Sequence, residues 1–375
     1  MTISYPGATD EKLDGDALRA TFDAASALTV GLEEEALLLD PETLDLLPRA
    51  PRVIERCGGD PRFKLELPAS QLEIVLPPTR TVAESAAALA RARRELATAA
   101  SGVGRLAAAG THPFAPPLGE LNGGERYEAI VREYGSVASM QQVAALQVHV
   151  AVPDHARALA VYNALRSHLP ELAALAANAP FYAGVDSGLA SVRPKISELL
   201  PRQGVPPALE SWDAFAAVLA RVPATQWWWE LRPHHLHGTL ELRVPDAQAT
   251  VADAAAVSGF AQSLVAWLAD RHDGGDLPGP EATWRIEESR WAACRSGLDG
   301  VLADPVTGER VVARELLAGR LEALAPHARA LRCEAELADV ARLLDANGAE
   351  RQRAEGGPRE AAAWLASVYE PASAG

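Results

Sequence analysis

The chain has 375 residues, of which 48% are hydrophobic, and this is enough to bury a large core in one big domain or two tightly joined lobes. Its formal net charge of −15 argues against nucleic acid and anionic membranes as partners. The three cysteines are too few for a disulfide framework and have no CxxC spacing, and no charged and apolar secretion signal is seen at the start. These features favour a cytoplasmic enzyme.

The chain divides into a short leader and one large domain. Residues 1–27 are predicted to form a loosely ordered leader that contains one short helix, over residues 16–25. Residues 28–375 are predicted to form a single domain, mainly helical from about residue 251 onward. We find no internal repeat.

The most informative segment spans residues 29–40, where the adjacent carboxylates Glu33, Glu34 and Glu35 lie between apolar residues. A carboxylate buried without a counter-charge takes up a proton, so acidic residues here indicate a cation or a basic partner. On a strand, Glu33 and Glu35 share one face and Glu34 lies on the other. Two converging carboxylates suit Mg²⁺, which prefers oxygen ligands and is commonly shared with substrate phosphates. The alternative is a solvated strand end.

Three later segments repeat this alternation of apolar and polar residues, over residues 70–75, 146–152 and 238–244. Each is predicted to be a strand with one apolar face and one polar face. The polar residues two apart are Gln71 and Glu73, then Gln147 and His149, then Thr239, Glu241 and Arg243. An antiparallel sheet of these strands would bury its apolar face under helices and line a cleft with the other. We therefore predict a metal site formed by Glu33, Glu35, Glu73, His149 and Glu241, with Arg243 placed to bind an anion.

The remaining segments are predicted to be mainly helices and loops. Helices are expected over residues 81–109, 125–139, 157–179, 212–219, 252–269, 281–294, 313–331, 334–347 and 358–369. Residues 251–270 are apolar but carry several polar side chains, which favours a packed helix over a membrane span.

Two clusters of unusual composition precede the last strand. Trp227, Trp228 and Trp229 are adjacent and cannot all face one way, so at least one is expected in the core and another at a cleft or interface. The histidines at 234, 235 and 237 could form a separate metal site, but they lack a clear set of partner ligands, and we expect a solvated loop instead.

Several stretches together resemble the carboxylate–amine ligases of the glutamate–cysteine ligase type 2 group. These stretches span residues 31–35, 40–43, 66–73, 147–150, 186–194, 238–248 and 290–297, in the order that the family shows. The resemblance implies an α+β fold of the glutamine synthetase/guanido kinase-like type, with an antiparallel sheet that forms an open, funnel-like cleft backed by helices. It makes residues 28–375 the ligase catalytic domain and implies small-molecule amino-acid substrates and a homodimer.

The resemblance also implies a reaction in which ATP phosphorylates a carboxylate, usually the γ-carboxyl of glutamate, and an amine such as that of cysteine then displaces the phosphate. Phosphoryl transfer to a carboxylate brings together negative charges, so metal ions and fixed cations must neutralise them. Glu33, Glu73 and Arg243 are therefore the expected catalytic residues, with Mg²⁺ and ATP as the cofactors. The residues expected to bind substrate or ATP are Gln147, Arg193, Thr239, Arg290 and Arg295.

Two other functions remain open at this level. An amide hydrolase on the same fold would use water in place of the amine. A degenerate nucleotide-binding protein would not turn over, although such a protein has no physical reason to keep several costly carboxylates converging.

Overall fold

The structure, a computed structural model, describes residues 13–222 and 226–370 and is built on one large antiparallel sheet. The strands in chain order are β1 (Val30–Leu39), β2 (Phe63–Leu65), β3 (Gln71–Val75), β4 (Arg105–Ala107), β5 (Leu146–Ala151), β6 (Phe181–Tyr182), β7 (Val185–Asp186), β8 (Leu231–His234), β9 (Thr239–Leu242), β10 (Val301–Ala303) and β11 (Arg310–Val312). Seven of them form the sheet in the order β2-β3-β1-β5-β9-β8, with β4 beside the second half of β1. The remaining four form two small hairpins, β6-β7 and β10-β11.

The four strands predicted from alternation are all found, and their register confirms two unlike faces. Directly opposite pairs share a face, and the pairs Glu35 with Glu73 and His149 with Glu241 place predicted site residues on the same side. The other face is apolar and fully buried, with Leu32, Leu72, Leu146, Val148, Ile74, Leu240 and Leu242 in the main core. The predicted α+β fold with a two-faced antiparallel sheet is therefore confirmed.

Helices cover the apolar face and extend the core. They are α1 (Gly15–Asp23), α2 (Ala50–Arg56), α3 (Val82–Ala100), α4 (Glu125–Tyr134), α5 (Ser136–Ser139), α6 (His155–Leu165), α7 (Leu169–Leu175), α8 (Arg193–Ser197), α9 (Trp212–Leu219), α10 (Val251–Asp273), α11 (Thr283–Ser296), α12 (Ala313–Leu331), α13 (Glu334–Asp345), α14 (Gly348–Ala354) and α15 (Pro358–Val368). The long helix α10 contacts α3, α6, α12, α13 and β5, so it lies between the sheet and the C-terminal helices.

Three predicted helices are shorter than the sequence pattern indicated, and one of them, expected over residues 125–139, is divided into α4 and α5 at Gly135, whose φ is 58°. The helix expected over residues 81–109 ends at Ala100, because Gly102 has a positive φ of 68° and the chain then turns into β4. The helix expected over residues 157–179 is split into α6 and α7 by a 3-10 turn, with Pro170 at the start of α7, where it lacks an N–H for a continuous helix. Alanine-rich composition alone does not reveal these ends.

The described part of the predicted leader is packed rather than loosely ordered. Leu18 and Phe22 of α1 are fully buried in the main core, and the ring of Phe22 lies 4.5 Å from that of Trp212. Amphipathic spacing placed this helix correctly, but its packing depends on α9, which is remote in sequence. Residues 1–12 of the leader lie outside the described residues.

Helix α10 is long and apolar enough, by length and composition, to cross a membrane. However, 83% of its most apolar window is buried inside the structure, where its neighbours are other helices and β5. This agrees with the predicted packed helix.

Candidate active site

Three glutamates converge on the polar face of the sheet, at the side of β2, β3 and β1. The carboxylate oxygens of Glu35, Glu66 and Glu73 lie within 4.8 Å of one another. Glu35 is held in place by three donors, because its carboxylate accepts hydrogen bonds from Ala145 N at 2.7 Å, Gln71 Nε2 at 3.0 Å and Gln147 Nε2 at 3.2 Å. We call Glu35, Glu66 and Glu73 the carboxylate cluster.

The carboxylate cluster brings together groups of like charge, of which Glu35 and Glu73 are buried and Glu66 is partly buried. Burial and the charge of Glu73 raise the pKa of Glu35 to about 7, and burial and Glu35 raise the pKa of Glu66 to about 7. Burial, with the charges of Glu66 and Glu33, raises the pKa of Glu73 well above its ordinary value. Carboxylates that are this close and this buried favour the protonated form, unless a bound cation compensates their negative charge. The arrangement is therefore suited to a divalent cation with oxygen ligands.

Glu33 lies beside the carboxylate cluster and faces an imidazole. His149 Nε2 is 3.5 Å from Glu33 Oε1 and makes no hydrogen bond, while its Nδ1 is 3.0 Å from Thr239 Oγ1. Burial raises the pKa of Glu33, but the neighbouring His149 and the charge of Arg243 together hold it below its ordinary value. The pair Glu33 and His149 thus offers an ionised carboxylate and a free ring nitrogen to a second cation or to a phosphate counter-ion.

His234 on β8 lies next to His149 rather than in a solvated loop, whereas His237 is exposed in the turn that follows β8. His234 is on β8, its ring lies 5.5 Å from that of His149, and the ring of His237 stacks on it at 4.2 Å. Burial lowers the pKa of His234 to about 3, so it is neutral at physiological pH. The expectation of a solvated loop is wrong for His234, because β8 pairs with β9 and carries this side chain to the polar face.

Glu241, like Glu33 and His149, is a predicted metal ligand that lies outside the carboxylate cluster, and its own oxygens are engaged by arginines. It is fully buried, and its two oxygens accept hydrogen bonds from Arg232 Nε at 2.6 Å and from Arg243 Nη1 at 2.5 Å. Although burial raises the pKa of Glu241, these arginines hold it well below its ordinary value. Arg243 also donates to Gln147 Oε1, so its position is fixed beside both Glu241 and the carboxylate cluster.

The three remaining predicted arginines have very different surroundings. Arg193 is buried and donates from Nε to Asp246 at 2.7 Å and from Nη2 to Val244 O at 2.5 Å. Arg290 is fully buried and donates to both oxygens of Glu230, at 2.6 and 2.5 Å. Arg295 is exposed and donates to Gly188 O at 2.6 Å. Arg193 therefore lies at the cleft, whereas Arg290 is engaged in a buried ion pair.

A pocket opens directly beside the carboxylate cluster. Its walls include Glu35, Glu66, Arg193 and Arg243, and also Arg126, Tyr127 and Trp228. Trp228 confirms the expectation that one tryptophan of the run walls a cleft, while Trp227 is 1% exposed and lies in the core. The pocket thus adjoins both the carboxylate cluster and fixed cations.

Sequence reasoning brought Glu33, Glu35, Glu73, Gln147, His149, Thr239 and Arg243 together correctly on one face, but it missed Glu66 and Arg126. Glu66 follows β2, two residues after Lys64, whose strand position is directly opposite Glu73. That spacing is a signal that would have placed Glu66 on the polar face. Arg126 is an exposed residue of α4, and no pattern distinguishes it from a surface arginine.

Comparisons with known proteins identify the family of the chain. The model of the glutamate–cysteine ligase family 2 matches residues 29–356. A Rubrobacter xylanophilus protein provisionally named glutamate–cysteine ligase 2-3 is 41% identical over 354 residues, which cover 90% of this chain and 94% of that protein. A Gloeobacter violaceus protein provisionally named glutamate–cysteine ligase 2 is 32% identical over 350 residues, covering 88% and 93%.

The fold is also similar to solved structures. Glutamate–cysteine ligase from Francisella tularensis in complex with AMP superposes with a TM-score of 0.67 at 10% identity, covering 94% of this chain and 91% of that chain. A bifunctional glutathione synthetase from Pasteurella multocida gives a TM-score of 0.58 at 14% identity, covering 95% and 53%. The family match over residues 29–356 and the 41% identity to a relative over 90% of the chain show that the chain belongs to the glutamate–cysteine ligase family 2.

Proposed function

We propose that this chain is an ATP- and Mg²⁺-dependent carboxylate–amine ligase that forms an amide through an acyl phosphate. Family membership supports the ligase class, and the substrates we propose are glutamate, phosphorylated at its γ-carboxyl, and an amino acid such as cysteine as the amine. The observation that carries the proposal is the carboxylate cluster, Glu35, Glu66 and Glu73, at the edge of a pocket. The location we propose is the cytoplasm, a reducing compartment that fits the free cysteines Cys57, Cys294 and Cys333.

The residues of the carboxylate cluster fit Mg²⁺ because all three offer hard oxygen ligands within 4.8 Å of one another. Bound there, the cation would neutralise the phosphates of ATP and the carboxylate that attacks them. Glu35, Glu66 and Glu73 would hold it, and the three hydrogen bonds to Glu35 would limit the reorganisation of the site. Glu33 and His149 would serve a second cation position on the same face.

Arg243 is a cation that lines the pocket and is held by neighbouring side chains. Its Nη1 donates to both Glu241 and Gln147, so the guanidinium is held in one orientation at the lining of the pocket. A guanidinium held in this way can bind a carboxylate or an acyl phosphate in a bidentate manner. We assign Arg243 to stabilise the charge that develops on the phosphorylated carboxylate. Glu241 accepts hydrogen bonds from both Arg232 and Arg243, and in this way it holds Arg243 in position.

The proposal is tested by measuring ADP release and hydroxamate formation with Mg²⁺, ATP, L-glutamate and hydroxylamine, a general amine that traps acyl phosphates. We expect both products with the wild-type protein, and neither product with Glu73→Gln. A panel of amino acids in place of hydroxylamine would then identify the amine. Release of ammonia or amine from an amide without ATP would identify a hydrolase instead, and ATP binding without any turnover would identify a nucleotide-binding protein.

A further inference from the structure

The three glutamates of the carboxylate cluster are not all held by the sheet. Glu35 lies on β1 and Glu73 on β3, and the two are directly opposite each other in the antiparallel ladder. Glu66 lies outside this ladder, in the connection between β2, which ends at Leu65, and β3, which begins at Gln71. The sheet therefore fixes two of the carboxylates, and another part of the chain has to fix the third.

The connection that carries Glu66 is held by Asn122, which lies shortly before helix α4. Asn122 Nδ2 donates to Glu66 O at 2.6 Å and to Pro68 O at 3.2 Å. The main-chain N–H of the same asparagine donates to Leu67 O at 2.9 Å. One residue thus binds three consecutive carbonyl oxygens, and it determines where the main chain at Glu66 lies.

The contact depends on the two N–H donors of the Asn122 side chain. Both neighbours of Nδ2 are carbonyl oxygens, which only accept hydrogen bonds, so the amide has to point its NH₂ group toward them. Asn122 is 6% exposed, and its Oδ1 has no hydrogen-bond partner among the residues that the structure describes. Because a buried acceptor without a partner is destabilising, the position of this residue is better explained by what its donors hold than by its own burial.

We propose that Asn122 is a positioning residue of the metal site, which holds Glu66 at the carboxylate cluster and so sets the affinity of the cluster for Mg²⁺. This inference rests on the proposed function for the identity of the cation. Bonds from Mg²⁺ to oxygen are about 2.1 Å long and tolerate little distortion, so a shift of the main chain at Glu66 would weaken or remove one ligand. Loss of a partner that orients a metal ligand typically lowers metal affinity by about 10- to 100-fold.

An alternative role for Asn122 is only to close the connection between β2 and β3. This role predicts a different result, because its loss would then lower the stability of the protein without changing the affinity for Mg²⁺.

The test measures Mg²⁺ binding by calorimetry, without nucleotide, for the wild-type protein, Asn122→Leu, Glu66→Gln and the double variant. Leucine is close to asparagine in size and has no donor, and Glu66→Gln identifies the binding event that belongs to the carboxylate cluster. We expect Asn122→Leu to weaken this binding by about tenfold or more. Because Asn122 acts through Glu66, the double variant should bind Mg²⁺ no more weakly than Glu66→Gln alone.

Asn163→Leu is the matched control. Asn163 of α6 also holds a main-chain oxygen, since its Nδ2 donates to Leu209 O at 2.9 Å, and it does not line the pocket beside the carboxylate cluster. Both Asn122→Leu and Asn163→Leu should lower the free energy of unfolding in urea with EDTA, but only Asn122→Leu should lose affinity for Mg²⁺. Asn122→Ala, which removes the amide and inserts no larger group, takes the place of Asn122→Leu if that variant does not fold.

The inference is overturned if the folded Asn122 variant binds Mg²⁺ as tightly as wild type, if Asn163→Leu weakens binding equally, or if the wild-type protein binds no Mg²⁺. It is also overturned if the double variant binds tenfold more weakly than Glu66→Gln alone, because Asn122 would then act independently of Glu66. Failure of the proposed function has a separate signature, which is the absence of ADP and hydroxamate with the wild-type protein. In that case Mg²⁺ binding that still depends on Asn122 and Glu66 would leave the positioning role in place and remove only the ligase reaction.

Discussion

Removing one charge from the carboxylate cluster is expected to stabilise the metal-free protein while it abolishes activity. Two unit charges 4.8 Å apart repel each other by about 3.5 kcal/mol at an effective dielectric constant of about 20. The repulsion in the folded protein is smaller than this, because a carboxylate with a raised pKa takes up a proton. The pKa of Glu35 rises from 4.5 to about 7, which at about 1.4 kcal/mol for each pH unit corresponds to about 3 kcal/mol above pH 7. Glu73→Gln should recover part of this, between about 1 and 3 kcal/mol.

The sign of the pH dependence follows from the same raised pKa. Between about pH 4.5 and pH 7 the folded metal-free protein binds more protons than the unfolded chain, because Glu35 is still protonated only when folded. The free energy of unfolding therefore falls as the pH rises through this window, and the loss is complete above pH 7. Glu73→Gln should accordingly be more stable than wild type near pH 8 and close to wild type near pH 5.

The assay is urea unfolding followed by tryptophan fluorescence, at both pH values, with EDTA or with saturating Mg²⁺. Mg²⁺ should stabilise the wild-type protein near pH 8 and stabilise Glu73→Gln much less, because a ligand that binds the folded state raises the free energy of unfolding by RT ln(1 + [L]/Kd), which is larger for a tighter site. The exposed Glu288, changed to Gln, is the control for the loss of one negative charge. The reasoning is refuted if Glu73→Gln is less stable than wild type in EDTA at both pH values, or if Mg²⁺ stabilises both proteins equally.

Three further substitutions separate structural from catalytic arginines. Arg93→Met should destabilise the protein by about 3 to 5 kcal/mol in urea unfolding, because it leaves Glu34 buried and unpaired; a loss below about 1 kcal/mol would contradict this. Arg290→Gln should lower stability by a similar amount, since Glu230 loses its partner, and it should leave the KM for ATP within about twofold. A raised KM for ATP at unchanged stability would instead support the predicted phosphate contact. Arg243→Lys should lower kcat by about tenfold or more with a small change in Tm, and wild-type kcat would exclude the bidentate role.

The strands that carry the site could be predicted from the sequence, because alternation of apolar and polar residues depends on neighbours in the chain. The predicted segment 146–152, for example, contains β5 (Leu146–Ala151), and its polar residues Gln147 and His149 both face the site. Strand β4 was missed because it is short and follows an alanine-rich helix with no break in composition before Gly102. The local pattern therefore predicted the longer strands of the sheet but not the short strand β4.

The partners of the charged residues could not be predicted, because they come from remote parts of the chain. Glu241 looked like a metal ligand, and it lies on the predicted face, but Arg232 from the neighbouring strand and Arg243 have taken both of its oxygens. Arg290 looked like a phosphate ligand, but Glu230, 60 residues away, faces it in the interior. In both cases an ion-pair partner from another part of the fold occupies the charged group, and the sequence pattern around the residue does not show that partner.

The acidic triplet at 33–35 shows how one short sequence serves both faces of the sheet. Glu33 and Glu35 face the site, whereas Glu34 lies on the apolar face with no exposure and is paired with Arg93 of α3 at 2.6 Å. Arg93 also donates to the main-chain oxygens of Gln248 and Tyr369, so this ion pair joins the central strand to the chain before α10 and to the chain after α15.

Because a buried ion pair is costly to desolvate, its retention is better explained by positioning than by stability. The pair fixes the register of β1, and a slip of one residue would exchange the faces of all three glutamates. The double substitution Arg93→Met with Glu34→Leu should therefore recover much of the lost stability, since a well-packed apolar pair can replace a buried ion pair. Any activity that it fails to recover measures how far the ion pair holds Glu33 and Glu35 in position.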